Sequence, residues 1–243
     1  MAYVKSRRLS LSLSNLINTD SNILAIALKY KFEYEQSYIR AFQKQFQITP
    51  AKYRKQKTEM PIEQRIDIHT LKSIDQGFVI QPKMVIKPLF HIQGIQEEIL
   101  DQENLNEFST NKLAMLFHEQ YLPLVSNKIN EHIYLAIIFY SANSQVSNNY
   151  MPCVETSRLN EVESPFTAFT IPLQEYAVFR YVGLHAPTEV TYRTLKELYD
   201  YITGYWQVNT AFKQSQPYHF ERMDLSICSN TYCEMDLYFP LCT

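Results

Sequence analysis

The spacing of the hydrophobic residues changes along the chain, and this change limits the possible folds more than any other feature. Near the N-terminus, Leu9, Leu13 and Leu16 follow the i, i+4, i+7 spacing of an amphipathic helix. Leu11 adds an alternation with serine that would also suit a strand. From Lys83 onward, short runs typical of β-strands surround two helical segments. The sequence therefore predicts a small all-α head followed by an α+β body.

The head is predicted to contain a helix-turn-helix. A first helix begins after N-cap candidates at residues 18–21. Its predicted apolar face consists of Ile23, Leu24, Ala27 and Leu28. A second helix, from about Tyr34 to Phe46, turns basic residues such as Arg40 outward and ends before Pro50. In this arrangement the second helix can present side chains to base edges in the major groove of DNA.

The formal charge is divided unequally between the two parts. Residues 1–57 carry eleven Lys and Arg side chains against three Asp and Glu side chains, a charge of +8. The other 186 residues carry 12 basic and 22 acidic side chains, a charge of −10. A basic head on an acidic body suits a nucleic-acid-binding module joined to a module with another ligand, although a basic segment can also be an ordinary solvated surface.

Several function classes have no support in the sequence. The cysteines (Cys153, Cys228, Cys233, Cys242) form no CxxC pair, and no histidine stands at metal-ligand spacing, so we expect no metal and no cofactor. The longest apolar run, 133–140, is much shorter than the roughly 20 residues of a bilayer helix, and no signal-peptide cleavage site follows the N-terminal basic residues. Without a nucleophile elbow, metal motif or phosphate loop, we expect a cytoplasmic protein that is not an enzyme.

The residues of the head match a known pattern. The matching strings are Ala25-Ile-Ala-Leu28-Lys-Tyr-Lys-Phe32, Gln36-Ser-Tyr-Ile-Arg40-Ala-Phe42-Gln-Lys44-Gln-Phe46 and Ile48-Thr-Pro50-Ala-Lys-Tyr53-Arg54. They resemble the signature of AraC-type transcription regulators, and Tyr3–Leu9 resembles the end of that family's linker helix. The resemblance covers about residues 2–56 and favours a helix for the leucine-serine alternation. Lys31 and Gln47 replace two glycines of the family, so both tight turns must form without glycine.

The AraC-type resemblance implies double-stranded DNA as a partner. The recognition-helix positions that match the family's base-contacting positions are Glu35, Gln36, Ser37 and Arg40, and the expected phosphate-binding residues are Lys44, Lys52 and Arg54. The family's first helix-turn-helix does not precede Tyr3 here. We therefore expect either a truncated sequence or a protein that binds DNA weakly or as a homodimer.

The body contains an internal repeat. Phe90-His-Ile-Gln-Gly94 and Phe179-Arg-Tyr-Val-Gly183 share Phe-x-x-x-Gly at the end of a predicted strand, and each precedes a helix and two strands. The predicted strands lie near 84–95, 131–140, 165–172, 175–182, 218–227 and 233–240, and the predicted helices near 105–122 and 188–204. Two duplicated strand-helix-strand-strand units can enclose a pocket between them.

The body also resembles a known family, over about residues 83–241. The strings Ile171-Pro172, Tyr176-Ala-Val-Phe179, Thr191-Tyr192, Tyr199-Asp-Tyr-Ile202, Phe220-Glu221 and Met235-Asp236-Leu-Tyr238-Phe-Pro240 resemble the GyrI-like effector-binding domain. An AraC-type head before such a domain is similar to Rob-type regulators. The resemblance implies an aromatic cleft with a buried glutamate that binds drug-like, often cationic molecules. It assigns the glutamate to Glu221 and a further ligand contact to Trp206. Other expected lining residues, each of which could instead be core, are Tyr192, Tyr134, Tyr140, Phe90 and Tyr238.

These observations predict a regulator in three segments. Residues 1–57 are the partial helix-turn-helix, 58–82 a linker and 83–243 the effector-binding domain. The predicted effector is small and lipophilic, with cationic or aromatic character. Two alternatives remain open: a small-molecule binding or sequestering protein with a vestigial DNA-binding head, and a GyrI-like hydrolase that uses Glu221.

Overall fold

The N-terminal part of the chain is all-α. In the computed structural model, which describes residues 2–62, 82–140 and 147–242, this part holds four helices. Helix α1 spans Ala2–Asn18, α2 spans Ile23–Lys29, α3 spans Glu35–Phe46 and α4 spans Pro50–Gln56. The predicted all-α head is confirmed, and the leucine-serine alternation is helical.

The leucine-serine alternation folds as a helix because its serines are satisfied inside the head. Leu9, Leu13 and Leu16 are buried against α3, where they join Tyr38 in one apolar cluster. The Ser12 hydroxyl donates its proton to the carbonyl of Leu9 at 2.7 Å. The Tyr38 hydroxyl, 2.8 Å from Ser12 Oγ, must therefore be the donor in their shared hydrogen bond. Both buried hydroxyls are paired, so the polar residues of α1 do not oppose its burial.

Helix α2 differs from its predicted form at two points. Its N-cap is Asn22, whose Oδ1 accepts from the Ala25 amide at 2.7 Å, so the prediction of a cap within 18–21 is wrong. Leu24 and Leu28, assigned to the apolar face, are 42% and 53% exposed, because the face toward α1 and α3 is that of Ile26. A seven-residue helix is too short for its periodicity to define one face uniquely.

The body is built on one antiparallel sheet. Its strands are β1 (Met60–Pro61), β2 (Lys83–Lys87), β3 (Phe90–Ile95), β4 (Glu97–Leu100), β5 (Ile133–Tyr140), β6 (Ser147–Thr156), β7 (Phe166–Ile171), β8 (Gln174–Gly183), β9 (Tyr218–Asp224) and β10 (Cys233–Pro240). Its helices are α5 (Asp101–Glu107), α6 (Ser109–Leu116), α7 (Tyr192–Tyr201) and the short α8 (Gln207–Asn209). π-helical turns at Phe117–Tyr121 and Ile202–Trp206 extend α6 and α7. The predicted α+β class is confirmed.

Three details of the body differ from the sequence prediction. Strands β4 and β6 were not predicted, the single strand predicted at 84–95 is two strands, and the helix predicted at 105–122 is interrupted at Phe108. Strand β6 contains Asn148, Asn149 and Pro152, residues that are uncommon in strands, and this explains why its sequence did not indicate one.

The strand order displays the duplication. Among the described residues the sheet runs β1-β2-β8-β10-β9-β5-β6-β3-β7, and β4 pairs with β6. One copy, β3-α5/α6-β5-β6, therefore meets the other, β8-α7-β9-β10, at the β5–β9 pair. The strand before each copy joins the other copy, since β2 pairs with β8 and β7 with β3. The two copies are thus interlocked at both edges as well as at their seam.

The repeated glycine has an equivalent position in both copies. Gly94 lies opposite Cys153, and Gly183 lies opposite Cys233. A Cβ atom at Gly94 would lie 2.1 Å from the carbonyl oxygen of Pro152, and one at Gly183 would lie 2.5 Å from the His185 ring. At Gly94 the obstacle is backbone, so only glycine permits the close approach, whereas at Gly183 the obstacles are the His185 and Cys233 side chains.

The sheet curls around an inner core and carries its helices on the outer face. Every strand from β2 to β10 except β4 contributes to one apolar cluster, which includes Val85 near one edge of the sheet and Ile171 at the other. The outer face packs against α6 and α7 in two further clusters, one for each copy. The head packs against Ile86 of β2, with which β1 pairs at the sheet edge. The Tyr238 hydroxyl of β10 donates to Glu59, in the segment after α4, at 2.9 Å.

The turn after α2 yields a stability prediction. Lys31 has a φ of 63°, a conformation that costs a side-chain-bearing residue roughly 1–2 kcal/mol. We expect Lys31→Gly to stabilise the head by about 1 kcal/mol, because the greater freedom of glycine in the unfolded chain offsets part of the relief. Amide hydrogen exchange in α2 and α3 measures the opening free energy. The control, Lys44→Gly within α3, should cost about 1 kcal/mol. A loss of stability in both variants would contradict the prediction.

Candidate functional site

A cavity opens on the outer face of the sheet at the seam between the copies. Its volume is about 620 Å³, within the range of about 300–1,000 Å³ typical of small-molecule sites. The first copy contributes α5, α6, β5 and β6 to its wall, and the second contributes α7, β9 and β10. The helices cover the outer face on either side of the β5–β9 pair and leave the cavity between them.

Glu221 lies in this cavity. Strand alternation on β9 turns Phe220 into the inner core and turns His219 and Glu221 to the outer face. Glu221 is only 9% exposed, and its Oε1 accepts a hydrogen bond from the Tyr199 hydroxyl at 2.8 Å. Burial raises the pKa of Glu221 to about 7, while the Tyr199 hydrogen bond opposes this rise. At neutral pH the carboxyl group therefore lies near the midpoint of its titration.

Tyrosines form much of the cavity wall. Tyr134 stacks on His118 at 5.7 Å between ring centroids, and its hydroxyl is hydrogen-bonded to that of Tyr150. Tyr192 and Tyr199 lie two turns apart on α7, with ring centroids 6.1 Å apart. Burial raises the pKa of Tyr134, Tyr150 and Tyr199 well above that of free tyrosine, so these rings stay neutral. The wall thus offers aromatic surface without a phenolate charge.

The charged side chains that line the cavity are carboxylates, of which Asp200 is paired with Lys196 at 2.6 Å. Four carboxyl side chains line it: Asp101, Glu119, Asp200 and Glu221. No lysine or arginine is among the lining residues in the described part of the chain. Burial lowers the pKa of both lining histidines, to about 3 for His219, so that ring is neutral at physiological pH. The cavity therefore provides a negative electrostatic environment with an apolar wall.

His219 connects three side chains of the cavity. Its Nε2 lies 3.0 Å from the Tyr199 hydroxyl and its Nδ1 lies 2.7 Å from the Tyr140 hydroxyl. The ring stacks on Phe239 with centroids 4.9 Å apart and planes at 3°. Both ring nitrogens are paired, and the stacking fixes the plane of the imidazole.

Four of the predicted ligand-binding residues line this cavity, and three do not. The lining residues are Glu221, Tyr192, Tyr134 and Tyr140. Trp206 is 4% exposed and packs between Phe179 and Phe212 in the outer core. Phe90 and Tyr238 belong to the inner core, on the opposite face of the sheet. Placing Trp206, Phe90 and Tyr238 in the cleft was therefore wrong. Successive side chains of a strand point to opposite faces of the sheet, so an error of one residue in the alternation is enough to place Tyr238 on the wrong face.

The lining residues that the sequence prediction missed include His219, Tyr199 and Tyr150. His219 stands two residues before Glu221, so strand periodicity could have placed both on one face. Tyr199 follows Tyr192 by seven residues, a spacing that puts both on one face of a helix. Tyr150 lies on β6, a strand that was not predicted, and no local signal identified it.

Most of the predicted DNA-contacting residues are accessible on the head. Gln36, Ser37, Arg40, Lys44 and Lys52 are exposed, and Glu35 is half-buried at the start of α3. Arg54 is different, because its Nε donates to the carbonyl of Leu16 at 3.0 Å and its Nη2 donates to that of Ser21 at 2.6 Å. It ties α4 to the connection between α1 and α2.

Two further findings concern metal sites and membrane-spanning helices among the described residues. No group of three His, Cys, Asp or Glu side chains in residues 2–62, 82–140 and 147–242 is arranged to hold a metal ion. None of the helices in these ranges has the length and hydropathy needed to cross a membrane.

Both parts of the chain match known protein families. Residues 83–241 match the family of integron-associated effector binding proteins, and residues 1–56 match a helix-turn-helix domain family. The transcriptional regulator Rob of Salmonella typhimurium is 52% identical over 54 residues, which are 22% of this chain and 19% of that protein. The transposon Tn10 TetD protein of Escherichia coli is 43% identical over 56 residues, 23% of this chain and 41% of that protein. The matched segment thus spans less than half the length of either relative.

Solved structures similar to this chain include an integron cassette protein of Vibrio cholerae, with 12% identity and a TM-score of 0.47 over 67% of this chain and 96% of that one. A protein bound to tetraphenylphosphonium has 15% identity and a TM-score of 0.48, over 67% and 94%. EcmrR in a complex with DNA has 12% identity and a TM-score of 0.49, over 95% and 76%.

The buried carboxyl group yields a prediction about stability and pH. The pKa of Glu221 is about 7 in the folded protein against 4.5 without burial. A pKa raised by folding means that stability is full below 4.5, falls as pH rises and reaches its lowest value above 7. We expect Glu221→Gln to be more stable than the wild type by about 3 kcal/mol at pH 8.5, and equal to it at pH 4.

Denaturant unfolding followed by the fluorescence of Trp206, which is buried in the same part of the molecule, measures this difference. Glu197→Gln, which changes an exposed glutamate on α7, is the matched control and should show no such pH dependence. An equal stability of wild type and Glu221→Gln at pH 8.5 would show that the carboxylate is solvated.

Proposed function

This chain belongs to the family of integron-associated effector binding proteins, and we propose that it is a transcription regulator controlled by a small lipophilic cation. The cation binds in the cavity around Glu221, and the AraC-type helix-turn-helix binds double-stranded DNA. Binding rather than hydrolysis is the activity of the cavity. Because its target is DNA, the protein acts in the cytoplasm.

The observation that carries the ligand proposal is a buried carboxyl group in a largely apolar cavity whose wall includes no lysine or arginine among the described residues. An ionised Glu221 is costly when buried without a cationic partner, and the described wall supplies none. A bound cation supplies that partner, while an anion would meet the carboxyl groups of Asp101, Glu119 and Glu221. Tyrosine faces such as that of Tyr134 add cation–π attraction of about 0.5–2 kcal/mol each. A flat or bulky aromatic cation meets both requirements.

The DNA proposal is supported by the surface of α3. Gln36, Ser37 and Arg40 are exposed on its first two turns, where a recognition helix contacts base edges. Lys44 and Lys52 are exposed nearby and suit phosphate contacts. Arg54 acts indirectly, because its hydrogen bonds to the α1–α2 connection hold the helix-turn-helix in shape.

Charge selectivity provides a test of the ligand proposal. Tetraphenylphosphonium is a suitable cationic probe, and triphenylphosphine oxide is a neutral probe of similar shape. We expect Glu221→Gln to weaken tetraphenylphosphonium binding at pH 8.5 by about 1–3 kcal/mol, at least roughly fivefold, because a charged partner is lost. Binding of the neutral probe should change little. Calorimetric titration measures both affinities.

The exposed-glutamate variant Glu197→Gln should bind both probes like the wild type. Equal losses for the two probes in Glu221→Gln would show that charge does not select the ligand. An ester of a similar cation, incubated with the protein and analysed by mass spectrometry, should be recovered intact. Its hydrolysis in the wild type but not in Glu221→Gln would favour the hydrolase alternative.

The DNA proposal is tested by separating recognition from folding. Duplexes enriched from a random library by the wild-type chain serve as the specific probe. We expect Arg40→Ala to weaken binding to them by about 1–3 kcal/mol without changing the stability of the head. Arg54→Ala should reduce both DNA binding and head stability. Unchanged affinity of Arg40→Ala for the enriched duplexes, measured at several salt concentrations, would remove Arg40 from the interface.

A further inference from the structure

The hydrogen bonds around His219 form a chain that ends at Glu221. The Tyr140 hydroxyl lies 2.7 Å from His219 Nδ1, and His219 Nε2 lies 3.0 Å from the Tyr199 hydroxyl. The Tyr199 hydroxyl in turn lies 2.8 Å from Glu221 Oε1. Each hydroxyl can donate one hydrogen bond and accept another, and a neutral imidazole does the same through its two nitrogens. All members of the chain must therefore donate in one common direction.

The ionised form of Glu221 fixes that direction. A carboxylate only accepts, so the Tyr199 hydroxyl donates to Glu221. The Tyr199 oxygen then accepts from His219, which places the imidazole proton on Nε2. The bare Nδ1 in turn accepts from the Tyr140 hydroxyl. Because burial lowers the pKa of His219 to about 3, the ring stays neutral and has a single proton to place.

The neutral form of Glu221 requires the opposite direction. A protonated carboxyl group donates to the Tyr199 oxygen, the Tyr199 hydroxyl donates to Nε2, and the imidazole proton lies on Nδ1, facing the Tyr140 oxygen. We propose that Tyr140, His219 and Tyr199 form a proton relay whose hydrogen bonds reverse when Glu221 gains or loses its proton, so that the tautomer of His219 reports a cation in the cavity.

The reversal balances as a series of single proton transfers. When Glu221 ionises, its proton passes to Tyr199, the former Tyr199 proton passes to Nε2, and the Nδ1 proton passes to Tyr140. The former Tyr140 hydroxyl proton leaves to water, which reaches this residue because Tyr140 is partly exposed. One proton is released in total, and no group in the relay becomes charged except Glu221. A ligand that covers the carboxyl group therefore does not block the exit of its proton.

The groups facing the relay from the surrounding elements do not compete with Glu221. Tyr134 on β5 and Tyr150 on β6 face the carboxyl group, and burial keeps both phenols neutral. Phe239 on β10 covers the imidazole and cannot ionise. The remaining charged groups of the cavity, Asp101, Glu119 and Asp200, form no hydrogen bond with a relay member among the described residues.

Nitrogen-15 NMR of histidine-labelled protein tests this inference, because it distinguishes the two imidazole tautomers. The His219 signals are identified by their loss in His219→Gln. In the ligand-free protein we expect the Nδ1–H tautomer at pH 5.5 and the Nε2–H tautomer at pH 8.5. At pH 6.5, saturating tetraphenylphosphonium should move the population toward Nε2–H.

Tyr199→Phe interrupts the relay between His219 and Glu221. In this variant the tautomer should no longer follow pH between 5.5 and 8.5, although unfolding shows an intact body. Tyr205→Phe, which removes a hydroxyl from an exposed tyrosine outside the cavity, is the matched control and should behave like the wild type. A purely structural role for His219 predicts one fixed tautomer in every protein and at every pH, and that result would overturn the proposal.

The result expected with tetraphenylphosphonium rests on the proposed function, whereas the result expected on changing the pH does not. A tautomer that switches with pH in a protein that does not bind tetraphenylphosphonium would support the relay and contradict cation binding. Charge-selective binding with a fixed tautomer would contradict the relay and leave the proposed function intact. The two failures are therefore distinguishable.

Discussion

The burial of one carboxyl group at the junction of the two copies determines what the cavity can bind. Glu221 lies on β9, which pairs with β5 of the other copy, so it stands where the helices of neither copy cover the sheet. Its hydrogen bond from Tyr199 stabilises the anion but leaves the charge without a counter-ion. A cavity of this kind need not match the shape of one molecule, because the charge provides affinity and the tyrosine wall accepts many aromatic outlines.

The two faces of the sheet connect this cavity with the head. Glu221 faces outward, and its neighbour Phe220 faces inward, where it stacks on Tyr238 with centroids 4.3 Å apart. The Tyr238 hydroxyl in turn donates to Glu59, three residues after α4 of the head ends. One stacked pair and one hydrogen bond therefore join β9 to the segment that follows α4. Antiparallel pairing of β9 with β10 keeps Phe220 and Tyr238 in register.

The sequence predicted which helices and strands form better than it predicted which face of each strand or helix lines the cavity. The spacing in α1 suited a helix or a strand until the family resemblance favoured a helix, and the repeated Phe-x-x-x-Gly segments predicted a duplicated α+β body. Glu221 and Tyr192 were placed through family resemblance, and the structure brings both into the cavity. Trp206 and Tyr238 were misplaced, because an aromatic residue suits a cavity wall and a core equally well. Which of the two it joins depends on strand register and on the helix that covers it, and neither is encoded locally.

The cost of burying Glu221 also links stability to ligand binding. Above its pKa of about 7 the free protein holds an unpaired buried charge, so its folded state is less stable than it would be with a neutral side chain. A cation that pairs with the carboxylate removes this cost, and that relief adds to its apparent affinity. A neutral ligand gains nothing from it. Under the proposed function, the charge therefore favours cations even where neutral and cationic molecules make the same aromatic contacts, and the proposed selectivity originates in the instability of the empty site.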